Sequence, residues 1–213
     1  MKNKIQAPKA KKILKTIAAH NDARHDYYYW LNDATNPEVI DYLKKENIYC
    51  DHMMSHTNSF QATLFNEMKL RIKEDDESVP YKFNGYWYIV KYEVGKDYPI
   101  YIRRKESLNA VDEVLFDCND MAKGHAYFRL SGINISPDNT KVAFGIDTLG
   151  RRQYTIYIKD LQTSKLLSKD ITNTTGSSTW ANDNKTIYYT ANDKKTLRSN
   201  KIYKHLLETN GKD

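Results

Sequence analysis

The chain has 213 residues, enough for one or two domains, and its net charge is +6 because 33 Lys and Arg outweigh 27 Asp and Glu. Six of the Lys and no acid fall within residues 1–20, so the remaining chain is close to electrically balanced. A nucleic-acid-binding face needs Lys and Arg clustered on ordered elements, and this distribution argues against one. We therefore expect no nucleic-acid partner.

The sequence gives no sign of export or of membrane insertion. No apolar run is long enough for a membrane helix, and residues 1–20 lack the apolar core of a signal peptide. The two cysteines, Cys50 and Cys118, lie far apart, and reduced thiols are the expected state of so few cysteines without an export signal. The sequence thus predicts a cytoplasmic protein with no membrane partner.

The N-terminal part is predicted as a basic tail, residues 1–20, followed by a helical segment, residues 21–78. Within the tail, a short helical turn is predicted over residues 13–19. The aromatic-rich stretch RHDYYYWL, residues 24–31, is predicted as an anchored loop or a short helix.

A long helix is predicted to begin at Asn36-Pro37, with Asn36 as the N-cap and Pro37 at the first helical position. Apolar residues recur at three-four spacing as far as Ile72, so a helix over residues 37–73 would be about 55 Å long. Because this length is unusual in a small domain, we expect a break near Asn58 or a larger partner beneath the apolar stripe. The acidic run at residues 74–78 ends the helix.

From Val79 to the end, residues 79–213, apolar and polar residues alternate, which predicts short strands with one buried face. Gly, Asn and Asp separate these segments at hairpin spacings. The predicted strands cover residues 86–93, 98–104, 112–117, 131–136, 141–147, 152–160, 165–171, 185–190 and 200–206.

Two stretches of the β part repeat each other. Asp138 aligns with Asp183, 45 positions on, and Ile156-Tyr157 aligns with Ile202-Tyr203, 46 positions on; a looser copy covers residues 85–103. Repeats of this length built of short strands are typical of propeller blades. The predicted fold class is mainly β with an N-terminal helical segment, the β part being a partial β-propeller of about two to three four-stranded blades.

Corresponding alternate positions in the repeats predict the buried faces of the blades. The residues expected to be buried are Trp87, Ile89, Ile100, Ile102, Val142, Phe144, Ile156, Ile158, Ile187 and Tyr189.

Two motifs resemble ligand sites at first sight. His52 and His56 share one helical face at a spacing that can hold zinc, but Met53 stands where the zinc-protease motif has Glu, so helix-surface histidines are the favoured interpretation. Residues 145–151 have the glycine spacing of a phosphate loop, but Arg151 replaces its Lys and a strand follows instead of a helix. This favours a hairpin turn.

No self-contained active site is apparent in the sequence. The stretch Gly176–Thr179 lacks the second Gly and the strand-turn-helix setting of a nucleophile elbow, and it is predicted as the entry to a blade. The acidic clusters at 74–77 and 112–120 have the character of solvated loops, and a catalytic triad cannot be nominated from spacing. We therefore predict no catalytic, cofactor-binding or metal-binding residue, and no cofactor.

Several blocks together resemble a known family. They are RHDYYYWL (24–31), VPYKFNGYWYIVKYEVGKDYPIYIRR (79–104), GHAYFRLSGINISPDNTKVAFGIDTLGRRQYTIYIKDLQT (124–163) and STWANDNKTIYYTANDKKTLRSNKIYKHLL (178–207). In this order, they look like the N-terminal part of the oligopeptidase B (protease II) branch of the prolyl oligopeptidase family of serine peptidases. The resemblance runs from about residue 6 to the end.

The resemblance implies a seven-bladed propeller that caps a catalytic cavity and admits only short peptides, and an N-terminal helical segment that packs on a C-terminal α/β-hydrolase domain. It implies cleavage of short basic peptides after Arg or Lys by a Ser, Asp and His of that hydrolase domain, so no catalytic residue is assigned to residues 1–213. The resemblance therefore suggests an inactive fragment whose partner is the missing hydrolase domain, in the same or a separate chain. The alternative is a stand-alone, non-catalytic propeller-blade module that binds proteins.

Overall fold

The computed structural model describes residues 5–167 and 171–207. The chain forms two compact units, Met1–Ile72 and Lys73–Asp213, and each is described by itself. The second unit already contains a short strand at Asp76–Glu77, just before the predicted start of the β part at residue 79. The domain ranges 1–20, 21–78 and 79–213 stay a prediction.

Residues 15–26 of the first unit form a hairpin. Strands β1 (Lys15–Ala19) and β2 (Asp22–Asp26) pair antiparallel, and the turn residues His20 and Asn21 have φ of 53° and 61°. The helical turn predicted over residues 13–19 is wrong, because a two-residue turn of this kind matches the twist of paired strands and holds the segment extended.

The aromatic stretch that follows is anchored, as predicted. After β2 the chain makes a 3-10 turn at Tyr29–Asn32. The Trp30 indole donates a hydrogen bond to the carbonyl oxygen of Lys11 at 2.9 Å, and its ring contacts the ring of Tyr42 edge-on. The indole thereby ties the N-terminal stretch to the long helix.

The long helix has the predicted start and the predicted break. Helix α1 (Pro37–Met54) is capped by Asn36, whose side chain accepts a hydrogen bond from the Glu38 amide. A 3-10 turn, Ser55–Thr57, separates α1 from helix α2 (Asn58–Leu70), which ends three residues earlier than predicted. At the break, Ser55 and Thr57 donate their hydroxyls to carbonyls of the last α1 turn, which favours a tighter turn. No helix among residues 5–167 and 171–207 is both long and apolar enough to cross a bilayer.

The second unit is built of antiparallel strands. The first blade has four strand positions, because β3 (Asp76–Glu77) and β4 (Tyr81–Phe83) pair with different parts of the same neighbour, β5 (Tyr86–Tyr92). The strands of the second unit are β3 (Asp76–Glu77), β4 (Tyr81–Phe83), β5 (Tyr86–Tyr92), β6 (Ile100–Lys105), β7 (Glu113–Asp117), β8 (Arg129–Ile135), β9 (Lys141–Asp147), β10 (Tyr154–Asp160), β11 (Ile171–Trp180), β12 (Thr186–Asn192) and β13 (Ser199–Leu206).

The remaining six strands form one continuous sheet in the order β13-β12-β11-β10-β9-β8, which nonetheless comprises two blades. The first half of β11 pairs with β10 at Ile171 and Thr174, whereas its second half, residues 178–180, pairs with β12 alone; Thr174 also pairs with Ala191 of β12. Between them Gly176 has φ of 85°, so the strand leaves one blade and enters the next without a loop. Of the strand predicted at 165–171, residues 165–167 pair with β10 and residues 168–170 lie outside the described residues.

The described residues therefore form two four-stranded blades and three strands of a third, in line with the predicted partial propeller. The helix Cys118–Met121, α3, is a single turn between the first two blades and is the only α-helix that the described part has beyond residue 85. Eight of the ten residues predicted to be buried are buried, and the other two, Trp87 and Ile100, are half-buried. The predicted register of the blades is confirmed.

Candidate functional site

The interface between the first two blades contains a buried cation. Arg103 on β6 is buried, and its guanidinium donates to both carboxylate oxygens of Glu113 at 2.8 and 2.7 Å. A third donor of the same side chain reaches across to the carbonyl oxygen of Asn139 in the second blade at 3.1 Å. Burial opposes the charge, but the pair with Glu113 outweighs burial and raises the pKa of Arg103.

A second cation crosses the same interface in the opposite direction. Lys159 on β10 of the second blade donates to the carbonyl oxygen of Leu115 in the first blade at 2.9 Å. Its ammonium lies 4.9 Å from the centre of the Phe116 ring, which favours the positive charge. Burial lowers the pKa of Lys159, and Glu113 opposes that change in part. Each blade thus supplies one cation to a backbone oxygen of the other.

Aromatic rings fill the space around these cations. Phe116 of the first blade packs on Phe144 of the second with ring centres 4.6 Å apart, and Phe144 stacks on Tyr157. Toward the first strands of the two blades, the packing leaves an apolar cleft of about 360 Å³. Its lining comprises Tyr81, Phe83, Tyr88, Ile89, Val90, Tyr101, Ile102, Leu115, Ile133, Asn134 and Ile135.

The second and third blades meet through backbone contact instead. A Cβ added to Gly132 would lie 2.0 Å from the carbonyl oxygen of Gly176, and one added to Gly145 would lie 2.5 Å from Gly176 Cα. Nearby, the Trp180 indole donates to the carbonyl oxygen of Asn134 at 2.9 Å. Only glycine allows such an approach, so these positions fix where β11 crosses between the blades.

The described residues leave an apolar surface exposed in each of the two units. In the third blade, Ile202 on β13 is 80% exposed, and Tyr188 on the neighbouring strand β12 is also exposed. In the first unit, Val39 is the only fully buried residue of the described helices α1 and α2. The apolar helix residues that stay exposed are Ile40, Leu43, Ile48, Met53, Met54, Phe60, Leu64, Phe65, Met68 and Leu70.

The two histidines with a zinc-like spacing are separated by the end of helix α1. His52 occupies the last turn of α1, whereas His56 lies in the 3-10 turn with its Nδ1 3.0 Å from the carbonyl oxygen of Met53. Among residues 5–167 and 171–207, no group of three or more His, Cys, Asp and Glu is arranged to hold a metal ion.

The glycine-spaced stretch 145–151 forms the predicted hairpin turn between β9 and β10. Asp147 is buried at its base, where its carboxylate accepts hydrogen bonds from the amides of Leu149, Gly150 and Arg152. The backbone donors of the turn are therefore used by the chain's own carboxylate. A bound phosphate would have to compete with that carboxylate.

The Ser/Thr-rich stretch Gly176–Thr179 lies in β11, where the chain enters the third blade, as predicted. The acidic cluster at 112–120 takes part in structure rather than standing free in solvent. Arg104 and, to a smaller extent, Lys91 form ion pairs with Asp112 and lower its pKa. Asp117 caps the single-turn helix α3. The sequence interpretation missed this role because the cationic partners come from other strands.

Comparisons with known proteins agree with this architecture. The family described as prolyl oligopeptidase, N-terminal β-propeller domain, matches residues 8–213. Dipeptidyl aminopeptidase BI of Pseudoxanthomonas mexicana is 38% identical over 94% of this chain, and Protease 2 of Moraxella lacunata is 32% identical over 95%. The chain spans 30% of the length of each of these curated relatives. Among solved structures, oligopeptidase B from Leishmania major superposes with a TM-score of 0.87 at 27% identity, over 96% of this chain and 31% of that one.

Proposed function

Since this chain belongs to the prolyl oligopeptidase family and carries part of its N-terminal β-propeller domain, we propose that it is the helical and propeller portion of a serine oligopeptidase that cleaves after Arg or Lys. The observation that carries the proposal is the family match over residues 8–213, together with the blades themselves. The likeness to an oligopeptidase B at 27% identity supports the preference for basic residues.

In this proposal residues 1–213 act as a gate and contribute no catalytic residue. The first strands of the blades approach one another closely, as the contact of Gly132 with Gly176 shows for the second and third blades. Charged contacts such as that of Arg103 with Asn139 hold the first two blades together. Blades fixed in this way would keep folded proteins away from a catalytic cavity while short basic peptides pass.

The proposed partner is a C-terminal α/β-hydrolase domain, in the same chain or in a separate one. The exposed apolar helix residues support this, because each Leu, Met or Phe would gain about 1.5–3 kcal/mol on full burial. We propose that this domain supplies the serine nucleophile, that acyl transfer takes place there, and that the assembled enzyme works in the cytoplasm without a cofactor.

The test is peptidase activity of purified residues 1–213, alone and after addition of a C-terminal piece from a family relative. Three fluorogenic substrates distinguish the specificities: one with Arg-Arg, one with Gly-Pro and one that reports release of a dipeptide. We expect no turnover by residues 1–213 alone, and turnover of the Arg-Arg substrate by the mixture. Turnover by residues 1–213 alone, abolished by a serine-reactive phosphonate, would contradict the division of labour, and preference for another substrate would contradict the specificity.

A second candidate, a stand-alone module that binds proteins, is favoured by the exposed face around Ile202 and Tyr188. Size-exclusion chromatography and thermal unfolding of residues 1–213 separate the two. The oligopeptidase proposal predicts a marginal, self-associating chain, because exposing several large apolar residues approaches the whole stability of a domain. A monodisperse monomer with a sharp, reversible transition would favour the binding module instead.

A further inference from the structure

Three asparagines occupy the same place in the three blades. Asn84, Asn139 and Asn184 lie in the turns between the first and second strands, and their φ values are 46°, 61° and 58°. Asparagine is one of the few residues other than glycine that adopts this left-handed conformation readily. Although the first turn is shorter than the other two, the turns of successive blades all carry a carboxamide on a residue with positive φ.

These turns bond to one another between blades. Asn84 Nδ2 donates to the carbonyl oxygen of Pro137 at 2.7 Å and to Asn139 Oδ1 at 3.1 Å, while Asn139 Nδ2 donates to the carbonyl oxygen of Asn84 at 3.1 Å. We call this set the first latch. In the second latch, between the second and third blades, the Asp138 amide donates to Asn184 Oδ1 at 2.9 Å.

The two latches use opposite ends of the carboxamide. Asn84 contributes its nitrogen, a donor that an aspartate cannot replace, whereas Asn184 contributes its oxygen, an acceptor that an aspartate also has. Changing the amide to a carboxylate should therefore remove both side-chain bonds of Asn84 from the first latch and leave the second latch intact.

The residue after Asn84 makes this change chemically accessible. Gly85 follows in the turn, both residues are exposed, and no atom beyond Gly85 and its two chain neighbours lies within 4 Å of the position that a Gly85 Cβ would occupy. The Gly85 backbone nitrogen can attack Asn84 Cγ, forming an N–C bond. The C–Nδ2 bond breaks, and ammonia leaves with the proton from the Gly85 nitrogen. Water then opens the cyclic imide at either carbonyl and leaves aspartate or isoaspartate.

We propose that Asn84 is a deamidation site and that its conversion opens the first latch. The new carboxylate has no donor and faces two acceptors, the Pro137 carbonyl oxygen and Asn139 Oδ1, so two hydrogen bonds are replaced by repulsion. In the intact latch, the same two bonds hold the Asn84 carboxamide against the second blade. Both bonds must break before the Gly85 nitrogen can attack Asn84 Cγ. The rate of deamidation at Asn84 therefore reports how often the first two blades separate at this rim.

The first test follows the wild-type chain at mildly alkaline pH, in buffer and in urea. Mass spectrometry of the tryptic peptide of residues 83–91 measures conversion, and Asn210-Gly211, the other Asn-Gly pair of the sequence, is the reference in urea. We expect Asn84 to react as fast as Asn210 in urea and at least about tenfold more slowly in buffer, since reaction then needs local opening. Equal rates of Asn84 in buffer and urea, or no conversion in urea, would overturn the proposal.

The second test compares Asn84→Asp with the matched control Asn184→Asp by hydrogen exchange. Asn84→Asp should speed exchange of the amides in β4, β5 and residues 136–141 by about tenfold, whereas Asn184→Asp should leave them unchanged. Similar behaviour of the two variants would refute the latch.

Asn139→Gly provides an independent check if Asn84→Asp does not fold. It keeps a residue that tolerates the positive φ while removing the carboxamide from the first latch. Deamidation at Asn84 should then accelerate in buffer, and an unchanged rate would show that the latch does not protect it.

Discussion

Replacing Arg103 by Met removes the cation that the first blade sends into the second, including the guanidinium that lies 4.2 Å from the centre of the Tyr86 ring, while keeping an unbranched apolar side chain. The Arg103 side chain is 4% exposed, and breaking a buried pair of this kind costs about 3–5 kcal/mol. Glu113, however, is 41% exposed and can be hydrated once its partner is gone, so we expect a smaller loss of about 2–4 kcal/mol in the free energy of unfolding.

The neighbouring Arg104 is a matched control. It points to the other face of β6 and pairs with Asp112, which Lys91 also contacts, so Arg104→Met leaves that carboxylate with a cation. The expected loss is at most about 1 kcal/mol, as for other partly exposed pairs. Urea unfolding followed by tryptophan fluorescence measures both variants. Equal losses, or a more stable Arg103→Met variant, would refute the view that Arg103 holds the blades together.

Three further predictions concern other parts of the chain. Gly145→Ala should destabilise the chain by about 1–3 kcal/mol in urea, because the new Cβ would meet the backbone of β11 at 2.5 Å; an unchanged midpoint would show that the strands can separate there. In the native chain Cys50 should react with a thiol reagent while Cys118, whose pKa burial raises to about 12, should not react until urea is added. Burial works to raise the pKa of Asp138, but hydrogen bonds from neighbouring hydroxyls and an amide outweigh it and bring the pKa to about 2. This folded value lies below the unfolded one, so the carboxylate should add about 1–2 kcal/mol above pH 4, after allowance for solvent screening, and lose it as pH falls toward 2. Asp138→Asn should flatten this pH dependence in acid unfolding, and a profile identical to wild type would contradict it.

The sequence was most informative where local chemistry decides the structure. Asn36-Pro37 predicted the start of α1, and alternation predicted both the strands and the buried faces of the blades. The strand β11 was harder to foresee, because ITNTTGSSTW contains too few apolar residues for the alternation to be visible. Its small residues are needed for the crossing between blades and not for burial in one of them.

The charged and amide contacts between blades could not be predicted from the sequence. Arg103 and Asn139 are 36 residues apart, and Asn84 and Asn139 are 55 apart, so neither pair leaves a local signal. Strand β6, IYIRRK, ends in three consecutive cations, so the sequence did not distinguish Arg103 from its neighbours. Which backbone oxygen Arg103 reaches depends on how the two sheets pack, and a periodic sequence pattern does not encode that packing.

The path of β11 has a consequence for how the propeller can come apart. The second and third blades share one uninterrupted strand, so they cannot pivot about a loop, and a cut near Gly176 would damage both. The only covalent connection between the first and second blades is the segment that contains the single-turn helix Cys118–Met121 and the loop that leads to β8. A mechanical force that pulls the blades apart should therefore separate the first blade from the second before it separates the second from the third. A designer who wants to divide the protein into two pieces that reassemble would place the cut there, between residues 122 and 128.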